Sequence, residues 1–296
     1  MRVLPALCLA LLTLPALAQS DGKLLLTGGV SSIDGAAGGG LTPWALVGSY
    51  ASDGQIGGTA HVTRLATGDY RLLTYGAALG VHDRFELSWA RQDLDTGSSL
   101  AALGLAGLHL KQDIVGLKAR LAGEAILDSD RLMPQISAGL EFKHTDAGAL
   151  APTLFRPLGA KASGTDAYVS ATKLFLAQGL LANLTLRVTK ANQNGLLGFG
   201  GAQSSGYRLK PELSIAKLLR RDLALGLEYR AKPDALHRSV LGDGALKEDD
   251  WKDIFLAWAP SKHASVTLAW VDLGRIAPAV QPRRQSGAYL SLQLAH

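Results

Sequence analysis

Charged residues in this chain repeatedly stand two positions apart: Arg84 with Glu86, Lys118 with Arg120, Glu141 with Lys143, Arg208 with Lys210 and Glu212, and Glu228 with Arg230 and Lys232. In an extended chain, residues i and i+2 share a face, so each group draws a polar stripe along one side of a strand. Together with Arg187, these stripes hold nine basic and four acidic side chains. Lining an open passage, they would prefer anions mildly, because a charged lining sets selectivity. Paired across neighbouring strands, as Glu141 with Arg120 or Glu212 with Arg230, they would instead knit the interior shut. The sequence leaves both outcomes open.

The remaining chemistry-bearing residues argue against catalysis. A serine hydrolase needs a histidine within reach of a hydroxyl and a third, orienting group. The histidines are His61, His82, His109, His144, His237, His263 and His296, and only His61 and His109 fall in mid-strand. His61 lies between Thr59 and Thr63, where a lumen hydrogen bond is the expected role. No catalytic residue is assigned, and the chain reads as non-enzymatic. There is no HExxH or histidine pair at ligand spacing, so neither a metal nor a cofactor is expected. Gly38-Gly39-Gly40 and Gly198-Phe199-Gly200-Gly201 do not join a strand to a helix, which makes them loop glycines and not a phosphate cradle. The formal charge of +5 is scattered without basic runs, so nucleic acid is not an expected partner.

The elements that must carry these stripes are strands. In Asp222 to Lys232, the odd positions Leu223, Leu225, Leu227 and Tyr229 are greasy, and the even positions include Glu228, Arg230 and Lys232. Leu180 to Lys190 repeats the pattern. Such segments recur near 22–33, 43–51, 55–64, 70–81, 84–93, 107–122, 132–144, 165–176, 180–190, 206–218, 222–232, 251–259, 264–273 and 287–296. Most are about ten residues long, the length a tilted strand needs to cross a bilayer. Short links (His82-Asp83, Gln178-Gly179, Arg220-Arg221, Ser261-Lys262) alternate with long ones (94–106, 145–164, 191–205, 233–250, 274–286). The link from Leu65 to Gly68 is short where a long one is expected. Loop 145–164 could fold inward as a constriction or cover the outside.

The first 18 residues have the form of a secretory signal, with Arg2, an apolar run from Leu4 to Leu14 and Ala16-Leu17-Ala18 before the cleavage point. The only cysteine, Cys8, lies within it, so the exported chain has no thiol chemistry. Residues 19–296 then form one domain. Alternation also suits a soluble sandwich. Two features favour an all-β transmembrane antiparallel up-and-down β-barrel of about 14 strands: mid-strand charges facing away from the apolar side, and aromatics near segment ends (Trp44, Tyr50, Tyr70, Tyr207, Tyr229, Trp251, Trp270). The count becomes 12 if the Gly-rich start is an N-terminal plug. Lys173, Lys190 and Lys217 fall on the lipid-facing side close to strand ends, where a lysine stem can snorkel.

The stretches GKLLLTGGVSSIDGAAGGGLTPWALVGSY (22–50), GTDAYVSATKLFLAQGLLANLTLRVTKANQNGLLGFGG (164–201) and DIFLAWAPSKHASVTLAWVDLG (253–274) resemble a family of Gram-negative exported proteins known as domain of unknown function 3034. The resemblance spans the mature chain and implies an outer-membrane barrel, without an activity or ligand. The last strand, YLSLQLAH, resembles the C-terminal signal read by the barrel-assembly machinery, with Leu290, Leu292 and Leu294 at alternate positions and His296 where an aromatic residue, usually Phe, is expected. To close the barrel, it must pair with the strand near 22–33. The partners implied are outer-membrane lipid, that machinery and small polar solutes. The function expected is passive diffusion through a lumen lined by Arg84, Glu86, Lys118, Arg120, Glu141, Lys143, Arg187, Arg208, Lys210, Glu212, Glu228, Arg230 and Lys232. A closed structural or partner-binding barrel is the second reading, and an outer-membrane lipid hydrolase the third.

Overall fold

The computed structural model describes residues 23–126 and 131–296. The signal segment proposed for residues 1–18, Cys8 included, lies outside the described residues. Twelve of the alternating segments form one closed antiparallel barrel: β3 (Ile56–Thr67), β4 (Arg71–Val81), β5 (Phe85–Asp95), β6 (His109–Ala122), β7 (Gln135–Asp146), β8 (Ser163–Phe175), β9 (Leu180–Thr189), β10 (Arg208–Arg220), β11 (Leu223–Arg230), β12 (Trp251–Ser261), β13 (Ala264–Asp272) and β14 (Ser286–Ala295). Each strand pairs with its sequence neighbours, and β14 closes the ring on β3, with Leu292 opposite Val62 and Tyr289 opposite Leu65. The seam partner is therefore Ile56–Thr67 and not the segment near 22–33. Among the described residues, no helix is long and apolar enough to cross a membrane.

The first two segments are not barrel strands. Residues 24–51 enter the lumen as a hairpin whose short strands, β1 (Val30–Ser31) and β2 (Ala37–Gly38), pair only with each other. Nearly every residue of this stretch is buried. Of the two strand counts the sequence offers, 12 with an N-terminal plug is the one formed. A 12-stranded ring is wider than the 8-stranded type that its own side chains fill, and the plug occupies the difference.

Alternation sorts the wall cleanly. Outward positions carry Leu87, Val115, Leu117, Leu140, Leu186, Leu213, Ile254, Leu268, Leu290, Leu292 and Leu294, all exposed. Inward positions carry mostly hydroxyls, amides and charges. Two inward glycines lie directly opposite aromatic rings, Gly139 opposite Tyr168 and Gly226 opposite Phe255. A Cβ at either site would meet the ring at 2.2 Å and 2.3 Å respectively, so the rings lie flat over bare backbone. The aromatic girdle is smaller than expected. Tyr207 and Trp270 are exposed, but Trp44, Tyr70 and Trp251 are buried and serve the plug and the interior.

One end of the barrel carries the tight connections 82–84, 176–179, 221–222 and 262–263, with the longer 123–134 among them, and receives both legs of the plug. There His82 and Asp83 adopt φ of 56° and 50°, the mirror-image two-residue turn that matches strand twist. The other end carries the long connections 96–108, 147–162, 190–207, 231–250 and 273–285, with the short 68–70 link among them. These are called the turn end and the loop end. Lys173, Lys190 and Lys217 all sit near strand ends. The Lys173 ammonium donates to the Glu124 and Met133 carbonyls, and Lys217 to that of Gln178. Lys190 lies over the Tyr207 ring.

Candidate functional site: the occluded lumen

The wall residues singled out by the sequence meet mainly the plug. Near the turn end, β5 and β6 supply a two-residue clamp. The Glu86 carboxylate accepts the Ala37 amide at 3.1 Å and the Gly48 amide at 2.6 Å, and meets the Lys118 ammonium at 3.1 Å. Lys118 in turn donates to the carbonyls of Ala37 (3.0 Å) and Leu46 (2.9 Å). Both legs of the hairpin are thus held by one buried ion pair. Across the barrel, Glu228 accepts the Leu41 amide at 2.7 Å and the Thr42 hydroxyl at 2.6 Å. Gly39 passes so close that a Cβ there would lie 2.3 Å from the Glu228 carboxylate. Thr185 donates to the Pro43 carbonyl at 2.8 Å, and Ser137 and Gln135 donate to that of Ala45 at 2.5 Å and 2.7 Å.

The tip of the hairpin ends in a buried ionic cluster. Arg230 Nη1 stands 2.9 Å from the Asp34 carboxylate, with Lys143 at 3.7 Å and Arg187 Nη2 at 3.9 Å. Asn194 donates to Asp34 at 2.6 Å. Behind this first layer, Arg187 binds Glu141 and Glu212 at 2.6 Å each, Lys143 binds Glu141 and Asp166 at 3.0 Å each, and Arg230 reaches Glu212 at 3.2 Å. Asn194 belongs to the 190–207 loop, which dips into the loop end with Gln193 and Asn194 at φ of 45° and 61°.

Above the cluster, the loop end is capped. Leu154, Leu158, Leu196, Leu236, Leu246 and Ile276, from four different loops, form one apolar cluster. Loop 145–164 contributes to this cap. Buried polar links tie the cap together: the Gln193 amide donates to Glu248 at 2.9 Å, and its side chain to the Ile276 carbonyl at 2.9 Å. Burial pushes the Glu248 carboxyl up to about 7, against the opposing pull of Lys232 and the Gln193 amide.

Below the plug, the turn end keeps a cavity of about 780 Å³ lined by Lys23, Thr27, Leu46, Asp83, Arg84, Arg120, Glu124 and Gln135, among others. Lys23 binds Asp83 at 2.6 Å and the Val47 carbonyl at 2.7 Å, so it ties the two plug legs to the β4–β5 turn. Arg120 does not meet Glu141; it bridges Asp83 and Glu124 at 2.6 Å each.

The thirteen expected lumen charges therefore fall into three groups. Glu86, Lys118, Glu141, Lys143, Arg187, Glu212, Glu228, Arg230 and Lys232 are buried; Arg84 and Arg120 line the turn-end cavity, and Arg208 and Lys210 stand at the loop-end rim. Arg208 there donates to the Pro233 carbonyl at 2.6 Å. Three lumen acids were missed: Asp34, Asp166 and Asp253. Asp166 and Asp253 lie on inward parity and were readable by the same rule as the rest. Asp34 had its own signal, as the sole charge between Lys23 and Asp53. Counted on the inward-facing positions of the wall strands, the buried charges are four bases (Lys118, Lys143, Arg187, Arg230) and six acids (Glu86, Glu141, Asp166, Glu212, Glu228, Asp253).

Two histidines bear on hydrolase chemistry. His61 is buried with neither ring nitrogen bonded. His144 Nδ1 and Ser163 Oγ lie 2.8 Å apart on the outer face. The acid opposite that histidine, Asp113, pairs with Arg91 at 3.5 Å. Among the described residues, no group of three or more His, Cys, Asp or Glu side chains could hold a metal.

A family model described as "Protein of unknown function (DUF3034)" matches residues 27–293, which takes in the plug and all twelve strands. The chain belongs to the DUF3034 family. No functionally curated protein matches it. Among solved structures, this DUF3034 member resembles the NanC porin, with a TM-score of 0.51 at 6% identity over 80% of this chain and 98% of that one. The KdgM porin follows with 0.48 at 9% identity over 80% and 98%. Outer membrane phospholipase A from Escherichia coli gives 0.44 at 11% identity over 91% and 98%. The NanC likeness establishes the fold alone, that of an outer-membrane β-barrel.

Proposed function

We propose that this DUF3034 protein is an outer-membrane channel for small polar solutes, held shut in the observed state by its own N-terminal plug. The turn end would face the periplasm and the loop end the exterior. One observation carries the reading: the plug contributes no strand to the barrel. β1 and β2 make no ladder bond with any wall strand, and the ring closes from β3 to β14 without them. The plug could therefore leave without breaking a single ladder hydrogen bond. The wall it would uncover includes Gln92, Gln135, Ser137, Thr172, Thr185, Ser214 and Gln293, each now bonded to the plug, hydroxyls and amides that water can satisfy. Selectivity is a separate matter. With six acids against four bases on the buried wall, overall charge gives no ground for the anion preference expected from sequence.

The second reading, a permanently closed barrel, is favoured by the apolar cap over the loop end. A disulfide lock separates the two. The Thr42 and Ser214 hydroxyls lie 2.6 Å apart, so Thr42→Cys with Ser214→Cys should cross-link plug to wall. Planar-bilayer current that is absent under oxidation and returns on reduction supports the gated channel. Equal current in both states would reject the plug as the gate. A folded wild-type barrel that never conducts would leave the closed barrel standing.

A further inference from the structure

We propose that the pocket around Asp34 is a binding site for the carboxylate of a small acidic solute, with Asp34 as its tethered resident. A solute carboxylate entering the lumen would take the place of Asp34 and so release the plug. This rests on the gated-channel reading above.

The pocket's donors all come from the wall and its loops; the plug supplies Asp34 and the carbonyls of Leu41 and Ile33, which accept from Arg230 and Gln92 at 2.9 Å and 2.8 Å. Arg230 Nη1 (2.9 Å) and Asn194 Nδ2 (2.6 Å) touch the carboxylate, and Gln92 Nε2 stands at 3.4 Å. Lys143 and Arg187 complete it at 3.7 Å and 3.9 Å. Both cations stand beyond hydrogen-bond reach. Arg187 Nη2 is buried without any hydrogen-bond partner, although its Nε and Nη1 are both taken by glutamates. A buried guanidinium donor left unmade is costly, and it faces the one carboxylate whose position is fixed by a hairpin. A free carboxylate could close the last ångström to Arg187 and Lys143 that the tether denies Asp34.

Charge balance permits the exchange. Lys143, Arg187 and Arg230 already face Glu141, Asp166 and Glu212, so adding a second anion beside Asp34 would be unfavourable. Replacing Asp34 by another carboxylate leaves the total unchanged. Such a site therefore distinguishes acidic from neutral solutes by competition with the plug, and not by the net charge of the wall.

The test uses acetate as the minimal probe. In detergent, Asp34→Ala should melt below wild type. Acetate should restore most of the loss, while chloride at the same ionic strength should not. Asp34→Asn, whose amide fills the pocket, should not respond to acetate, and adding Arg230→Met to Asp34→Ala should abolish the response. If Asp34→Ala folds poorly, the same comparison is made on folded yield with each salt in the refolding buffer. Equal responses to acetate and chloride would overturn the site. In bilayers, glucuronate should raise the opening frequency of the wild type over an equal concentration of glucose, and no difference would overturn displacement of the plug. A specific acetate effect in a barrel that never conducts would support the pocket while sinking the channel reading, which keeps the two failures distinct.

Discussion

Replacing Glu86 by alanine should free the plug and leave the barrel standing. Among the described residues, Glu86 is the one carboxylate within salt-bridge reach of the buried Lys118 ammonium, and it accepts the Ala37 and Gly48 amides. Breaking a buried ion pair by removing one partner costs about 3–5 kcal/mol, and each stranded amide adds to that unless water reaches it. A net effect of about 4 kcal/mol shifts the balance between seated and withdrawn plug by roughly 10³-fold. The Glu86 side chain meets the neighbouring strand through its ion pair with Lys118 and takes no part in the backbone ladder, so heat-modifiable gel mobility of the barrel should be unchanged. Hydrogen exchange at Ala37 and Gly48 should quicken by a similar factor, and bilayer current should rise. Removing both partners with Glu86→Ala and Lys118→Met should cost less than the sum of the single changes, since no buried charge is then left alone. The reasoning is refuted if Glu86→Ala folds, keeps full protection at both amides and conducts no more than wild type.

Three further outcomes follow from other contacts. Gly226→Val places a Cβ within 2.3 Å of the Phe255 ring and should destabilise the barrel by about 1–3 kcal/mol as overpacking, visible in denaturant titration. The His296 ring stacks on His263 at 6.5 Å between centroids; His296→Phe should fold as well as wild type or better, while His296→Ala should lower the yield of folded barrel. The carboxyl of Glu248 is raised to about 7 from 4.5, so it stays neutral in the folded cap while an unfolded one ionises. Cap stability should be full below pH 4.5, decline as the pH rises to about 7 and level off above, by at most about 3 kcal/mol, read as protection of the Gln193 amide. Glu248→Gln should flatten that dependence.

The twelve barrel strands were legible because lipid outside and polar groups inside force a strict period of two on every one. Leu223 to Tyr229 and Leu290 to Leu294 show it without a break. The two segments misread as strands, near 22–33 and 43–51, also mix apolar with small residues, but for another reason. A hairpin enclosed on all sides has no lipid face and no water face, so Val30, Trp44 and Leu46 pack against wall side chains while Ser31 and Thr42 find hydroxyl and amide partners in the same wall. Periodicity cannot separate those situations. The glycines at 38–40 could have, since three in a row suit close approach to a wall better than a ladder. The charged stripes were placed on the correct face, yet their partners were not readable. Glu86 accepts from plug amides, and Arg187 donates to Glu212 on the adjacent β10 and to Glu141 two strands away on β7. Such pairings depend on which strands become neighbours and on what fills the space between them. Lys23 and Asp83 are sixty residues apart and meet only because both legs of the hairpin return to the same turn.

That return of both legs to one end has a topological consequence. The hairpin is a loop pushed into a ring, with its two legs, as far as residues 23 and 51, at the same end. Inserting or withdrawing it is like pushing a bight of rope into a pipe and pulling it out again: no knot forms, and the seam between β3 and β14 need not reopen. The order of the two events in biogenesis is therefore unconstrained. The ring can close around a seated hairpin, or an empty ring can close first and receive it from the turn end.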